Sequence, residues 1–203
     1  MTLSPSSPSF AVNPLVEIFA HEPRLRLTRG NKDVYHGLRA QVPSLVSLVD
    51  GKSAVEVAAL DTLEAWDGSS ALGAVSFIVQ ANPHRPPPQD KFGRIDIVIV
   101  PEASRGLGLG RLLLTCAALH LVQNHYTEMY SISCLAAHPA VSKTLESLSF
   151  VPNDRGSRNY VHEELRLEGL DLAALDATLS QEAELSLQRV KYGLRQRQNS
   201  ATA

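Results

Sequence analysis

The spacing of apolar and polar positions changes period several times along the chain, and each change marks an element. Arg24-Leu25-Arg26-Leu27 alternates as a half-buried strand does. Strand-like runs cover Leu15 to Phe19 and Leu25 to Thr28, separated by His21-Glu22-Pro23, and Asp33 to Val49 supplies helical material that Pro43 interrupts. Two further strand-like runs, Ala54 to Trp66 and Ala71 to Gln80, flank Asp67-Gly68-Ser69-Ser70, a hairpin turn. Ile95 to Val100 is apolar at nearly every position, the mark of a strand buried on both faces. Arg111 to Gln123 then predicts a helix with a stripe through Leu112, Cys116, Leu119 and Val122. Met129 to Leu135 reads as a strand, Ala140 to Leu148 as a short helix, and Asn159 to Leu167 as the last strand. A strand, a helix and a second strand in that order imply a parallel pair.

These elements predict a mixed α/β domain over residues 15–168, a central mixed sheet flanked by helices. The Ser/Pro-rich residues 1–14 read as a disordered tail. Residues 169–203 read as an extension, in which Leu172, Leu175, Leu179, Ala183, Leu187, Val190 and Leu194 recur at helical intervals before a frayed end. Such a helix either packs on its own domain or serves as the arm of a homodimer. Three consecutive prolines, Pro86 to Pro88, exclude a strand between the hairpin and Ile95 and predict a stiff exposed loop.

Composition narrows the function classes. The 203 residues carry 19 basic and 21 acidic side chains, so no bulk attraction to nucleic acid or to an anionic membrane is expected. Apolar runs fall short of the ~18 residues of a membrane span. The N-terminus lacks a signal-peptide pattern, and the expectation is a cytoplasmic protein. Cys116 and Cys134 read as small buried hydrophobes, reduced, and no His or Cys spacing suggests a metal.

The candidate chemistry lies at Arg105-Gly106-Leu107-Gly108-Leu109-Gly110-Arg111. Glycines at alternate positions between a buried strand and a helix start make an anion site, where unpaired amides and the positive end of the helix dipole converge. A P-loop needs Gly-Lys followed by Ser or Thr, and Gly110 is followed by Arg111-Leu112. A dinucleotide fingerprint would need glycine at position 111 or 113, which hold Arg and Leu. Arg105-x-x-Gly108-x-Gly110 resembles instead the Q/R-x-x-G-x-G/A signature of the GNAT superfamily of acyl-CoA-dependent N-acyltransferases. A second motif of that family, a strand followed by a short helix and a Gly-Phe exit, is matched in register by His138-Pro139 and Ser149-Phe150. The resemblance covers about Leu25 to Leu167, in the first half by element order alone.

The resemblance implies transfer of an acetyl or related acyl group from acetyl-CoA to a primary amine, on a small molecule or a peptide, without a metal. It implies that Arg105, Gly106, Leu107, Gly108, Leu109, Gly110 and Arg111 bind the coenzyme A pyrophosphate, and that main chain of Val98, Ile99 and Val100 aligns pantetheine. Asp96 falls where the family often has a general base; the other reading is an outward-facing aspartate that caps a sheet edge or pairs with Arg94. Leu145 aligns with the helix tyrosine that commonly protonates the leaving thiolate, and leucine cannot do so. Tyr160 and Ser142 are the nearest hydroxyls, with Tyr160 also readable as an ordinary strand aromatic. Otherwise the thiolate leaves unaided, or the protein is a noncatalytic acyl-CoA-binding or interaction module. A nucleotide-phosphate binder using the loop differently is a further alternative.

Overall fold

The computed structural model describes residues 26–29, 37, 61–136, 139–153 and 161–201. Seven strands form one sheet: β1 (Arg26–Arg29), β2 (Asp61–Asp67), β3 (Ser70–Ala81), β4 (Lys91–Ile99), β5 (Met129–Ala136), β6 (Val151–Asn153) and β7 (Val161–Arg166). The helices described in full are α1 (Leu109–His125), α2 (Pro139–Ser147) and α3 (Leu172–Ala201). The strand order is β1-β2-β3-β4-β5-β7-β6. Neighbours are antiparallel except β4 and β5, which are parallel and joined by α1.

The expected hairpin turn closes β2 onto β3, with Asp67 opposite Ser70. The proline-rich segment links β3 to β4, where Asn82 N–H donates to Asp90 O at 2.6 Å and Arg85 stacks on the Tyr130 ring at 3.8 Å. Leu15 to Phe19, most of Asp33 to Val49 and the tail 1–14 lie outside the described residues. β4 begins at Lys91, ahead of the apolar run, because its first residues gain partners on both sides: Lys91 to Arg94 pair with Ala81 to Ile78 of β3 and also with β5. β6 was not legible in the sequence, since Pro152 sits in it; as a three-residue edge strand it needs to bond only on one side.

α1 departs from the expected stripe. Every residue from Leu112 to Val122 is buried, because the helix lies between the sheet and α3. A helix apolar all round needs a partner on each side, and α3 is the second one. Leu179, Ala183, Leu187 and Val190 of α3 are buried against this core. Asp171 caps the helix, its Oδ1 accepting from the N–H groups of Ala173 and Ala174, and the helix runs to Ala201. α3 therefore packs on its own domain, against α1.

Just past the end of α2, Ser149 has φ +68°, while Phe150 N–H donates to Leu145 O at 3.0 Å and Ser149 N–H to Glu146 O at 3.0 Å. That is a Schellman end with serine in the left-handed position where glycine is favoured. Ser149→Gly is therefore expected to raise the stability to denaturant by about 0.5–1 kcal/mol, the left-handed cost less glycine's greater unfolded entropy.

Candidate functional site

The site is built where β4 parts from β5. Their pairing runs from Lys91 opposite Met129 to Ile95 opposite Cys134 and stops there, although β4 continues to Ile99 and β5 to Ala136. On the other side β4 stays paired with β3, Ile97 facing Ser76, Val98 facing Val75 and Ile99 facing Ala74. Among the described residues, main chain of Ile97, Val98 and Ile99 is thus left without a strand neighbour on its β5 side, inside a fork between two parallel strands. Asp96 is the extra residue of a β-bulge at the fork: Ile95 lies opposite Phe77, Ile97 opposite Ser76, and Asp96 between them. The bulge bends β4 away from its neighbour just as the pairing ends.

At the open end of the fork the chain makes a short 3₁₀ turn, Glu102–Ser104, and enters the glycine turn. Gly106 and Gly108 have φ +79° and +85°, so both positions need glycine for backbone reasons alone. Gly108 caps α1 through its carbonyl, which accepts from Leu112 N–H at 3.1 Å, and no side chain caps the helix. The N–H groups of Leu109, Gly110 and Arg111 precede that first intrahelical bond and point off the helix end, the arrangement that suits an anion. A Cβ added at Gly110 would meet nothing within 4 Å, so space is open beside these donors. Leu107 and Leu109 are buried and anchor the turn, while Arg105, Gly106 and Gly108 are exposed.

The two arginines of the motif differ in what holds them. Arg105 is exposed, with its Nε 3.5 Å from Val100 O at the end of the fork. Arg111 points to α3, where its Nη2 lies 2.5 Å from Glu182 Oε2, so its charge is already engaged. Val98 and Val100 are half-buried against the core and Ile99 is fully buried.

Among the proton-handling candidates, Asp96 is mostly buried, with Arg94 Nε 3.4 Å from its Oδ1. The partnership weighed for it in the sequence is therefore present. Tyr160 lies outside the described residues. Leu145 is fully buried within the core, so the position aligned with the family tyrosine packs rather than faces a slot. Ser142 of α2 donates to Oε1 of Glu163, a residue the sequence reading passed over. Phe77, Ile95, Cys134 and Glu163 lie opposite one another across β3, β4, β5 and β7, the last row before the fork opens. Glu163 is buried, and its Oε2 has no hydrogen-bond partner among the described residues. Strand alternation could have found it, because Glu163 shares a face with Leu165 and Leu167, both buried.

Burial pushes the Glu163 carboxyl up; the Ser142 hydroxyl opposes this and Glu146 adds to it. Burial first, then Glu163 and Asp96, pushes the Cys134 thiol up to about 12, so Cys134 is no thiolate nucleophile at neutral pH. Both cysteines are free. Because the folded chain holds the Glu163 proton more tightly than the unfolded chain, stability is expected to fall as pH rises from about 4.5 through the raised value. Glu163→Gln should remove that part of the slope, read as denaturant midpoints of both proteins from about pH 4 to about pH 8.

Among the described residues no group of three or more His, Cys, Asp or Glu is placed to hold a metal ion, and no helix is long and apolar enough to cross a membrane.

No protein-family model matches the sequence, and neither does any curated protein. Solved structures do match in shape. A GCN5-related N-acetyltransferase from Ralstonia eutropha JMP134 superposes with a TM-score of 0.51 at 16% identity, over 66% of this chain and 97% of that one. The protein yncA of Salmonella typhimurium, solved with its cofactor acetyl-CoA, superposes at 0.51 and 15% identity, over 73% of this chain and 96% of that one. A chain of the NatC complex, bound to Gag peptide and CoA, gives 0.51 and 15%, over 70% and 98%. At these identities the likeness concerns architecture, and it agrees with the mixed sheet: the chain has the fold of the GCN5-related N-acetyltransferases.

Proposed function

We propose that the chain binds an acyl-CoA, acetyl-CoA in the simplest case, and transfers its acyl group to a primary amine. The observation that carries this reading is the fork: β4 main chain with no strand partner on its β5 side among the described residues leads into a helix N-terminus without a side-chain cap among them, with free space at Gly110. An extended amide-bearing arm ending in a diphosphate matches both parts, since the arm can bond to strand main chain while the diphosphate meets the turn amides. Residues 105–110 would hold the pyrophosphate and Val98 to Val100 the pantetheine, and Arg111 would contribute less, given its pairing with Glu182.

When bound, the coenzyme supplies a thioester whose carbonyl carbon a neutral amine can attack. The N–C bond forms, the C–S bond breaks, and the amine's proton leaves while the thiolate gains one. β4 can hold the thioester carbonyl through an exposed amide, an oxyanion-hole arrangement, and positioning supplies much of the rate. Asp96 at the bulge would accept the amine proton, directly or through water. With Leu145 in the core, the Ser142–Glu163 pair at the fork row joins Tyr160 as a candidate to protonate the thiolate. The buried Leu145 also supports a second reading, a noncatalytic acyl-CoA-binding module of the same fold.

Titration calorimetry with acetyl-CoA, ATP and NAD tests the binding. Heat with the CoA ester alone is expected, and a protein silent to every CoA ester sinks the proposal. Thiol release in the presence of an amine panel, small amines and peptide N-termini included, then separates transferase from module.

A further inference from the structure

The end of α3 does more than cover α1. Residues 189, 193 and 197 stand four apart on one helix face, and each meets the glycine turn. The Arg189 Cβ lies 4.0 Å from where a Cβ on Gly108 would stand. Gly193 admits Leu107, so closely that a Cβ there would come within 2.8 Å of Leu107 Cδ2. Glycine inside a helix is disfavoured relative to alanine, and here its missing side chain is what lets the turn seat against α3. Arg197 completes the contact: Nη1 donates to Ala103 O and Nη2 to Arg105 O.

One planar guanidinium thus grips two carbonyls that bracket the start of the turn. In a trans peptide the C=O and the following N–H point in opposite directions. Drawing Arg105 O toward α3 therefore aims the Gly106 N–H away from α3 and fixes the peptide plane that opens the cradle. An unbraced turn with two left-handed glycines would have many conformations to lose on binding, and a brace removes part of that cost.

We infer that Arg197 is a positioning residue for the anion loop, and that the last turns of α3 act as a strap holding the loop in its binding conformation. The inference rests on the proposed acyl-CoA site. The guanidinium acts on the loop carbonyls, with no requirement that it touch phosphate.

The test is acetyl-CoA affinity by calorimetry at a temperature where every variant is folded, across a series of salt concentrations. Arg197→Ala is expected to weaken binding about tenfold or more, with Arg197→Gln intermediate because its amide can still donate to one carbonyl, and Arg197→Lys likewise intermediate. The salt dependence should match wild type in all of them. Arg195→Ala, an exposed arginine on another face, should bind as wild type does. Amide hydrogen exchange over residues 103–110 without ligand should quicken in Arg197→Ala and not in Arg195→Ala. Wild-type binding with Arg197→Ala unchanged overturns the strap and leaves the acyl-CoA reading standing. Gln and Ala equally weak, with a shallower salt dependence, also overturns it, since the guanidinium would then act as a charge on phosphate. A wild-type protein that binds no CoA ester overturns both.

Discussion

Gly110→Glu is expected to melt at or above the wild-type temperature and to bind acetyl-CoA at least about 100-fold more weakly. Gly110 is the second residue of α1 after its Gly108 cap, and a Cβ there meets nothing within 4 Å. Replacing glycine in a helix gains several tenths of a kcal/mol, and a carboxylate in the first turn complements the helix dipole by about 0.3–1 kcal/mol more. Against a bound diphosphate the same carboxylate is a like charge in the open space beside the donors. At about 5 Å and an effective dielectric of about 20, one such pair costs about 3 kcal/mol, which is about 100-fold.

Stability and binding are thereby driven in opposite directions by one substitution, which a general loss of structure cannot imitate. Gly108→Glu lacks that property. At φ +85° any side chain strains the turn, so lost binding there would report backbone distortion as readily as a phosphate clash. Gly110→Ala adds bulk without charge and should bind far better than the glutamate variant. Calorimetry alongside thermal melts decides the matter, and Gly110→Glu binding within about threefold of wild type would remove the pyrophosphate from this turn.

What the sequence revealed of this site followed from backbone chemistry. Glycines at 106 and 108 mark positions where side chains are excluded, and the structure shows left-handed backbone at both. The fork was accessible only through the family resemblance, because a break in parallel pairing leaves the composition of Ile97 to Ile99 unchanged. Arg111 read as a phosphate cation because nothing in the sequence links it to Glu182, a partner distant along the chain. Glu163 was hidden in plain alternation: two adjacent glutamates suggest a solvated strand until one asks which of them shares a face with Leu165. The stripe on α1 was under-read for a related reason. Leu113, Leu114, Ala117, Ala118 and Leu121 fill the other faces of that helix, and an all-round apolar helix announces a second covering layer.

That second layer carries the other large effect. Leu187→Asp in α3 is expected to destabilise the protein by about 4 kcal/mol or more, and Leu185→Asp by no more than about 0.5 kcal/mol. Leu187 is 2% exposed and packs in the core with Leu179 and Val190, whereas Leu185 is 39% exposed on the opposite side of the same helix. Burying three such side chains contributes about 5–9 kcal/mol, as much as many whole domains have in hand. Without α3 the domain would expose the outer face of α1, so a chain ending at Gly169 is expected to be insoluble or molten even though its sheet is intact in sequence. Denaturant unfolding of the two full-length aspartate variants, with their mass in solution by light scattering, is the measurement. Equal stability for both would mean that α3 does not lie on α1 in solution, returning it to the role of a dimer arm. It would also detach Arg197 from the glycine turn, so the layer that completes the core and the strap that braces the cradle stand or fall on the same helix.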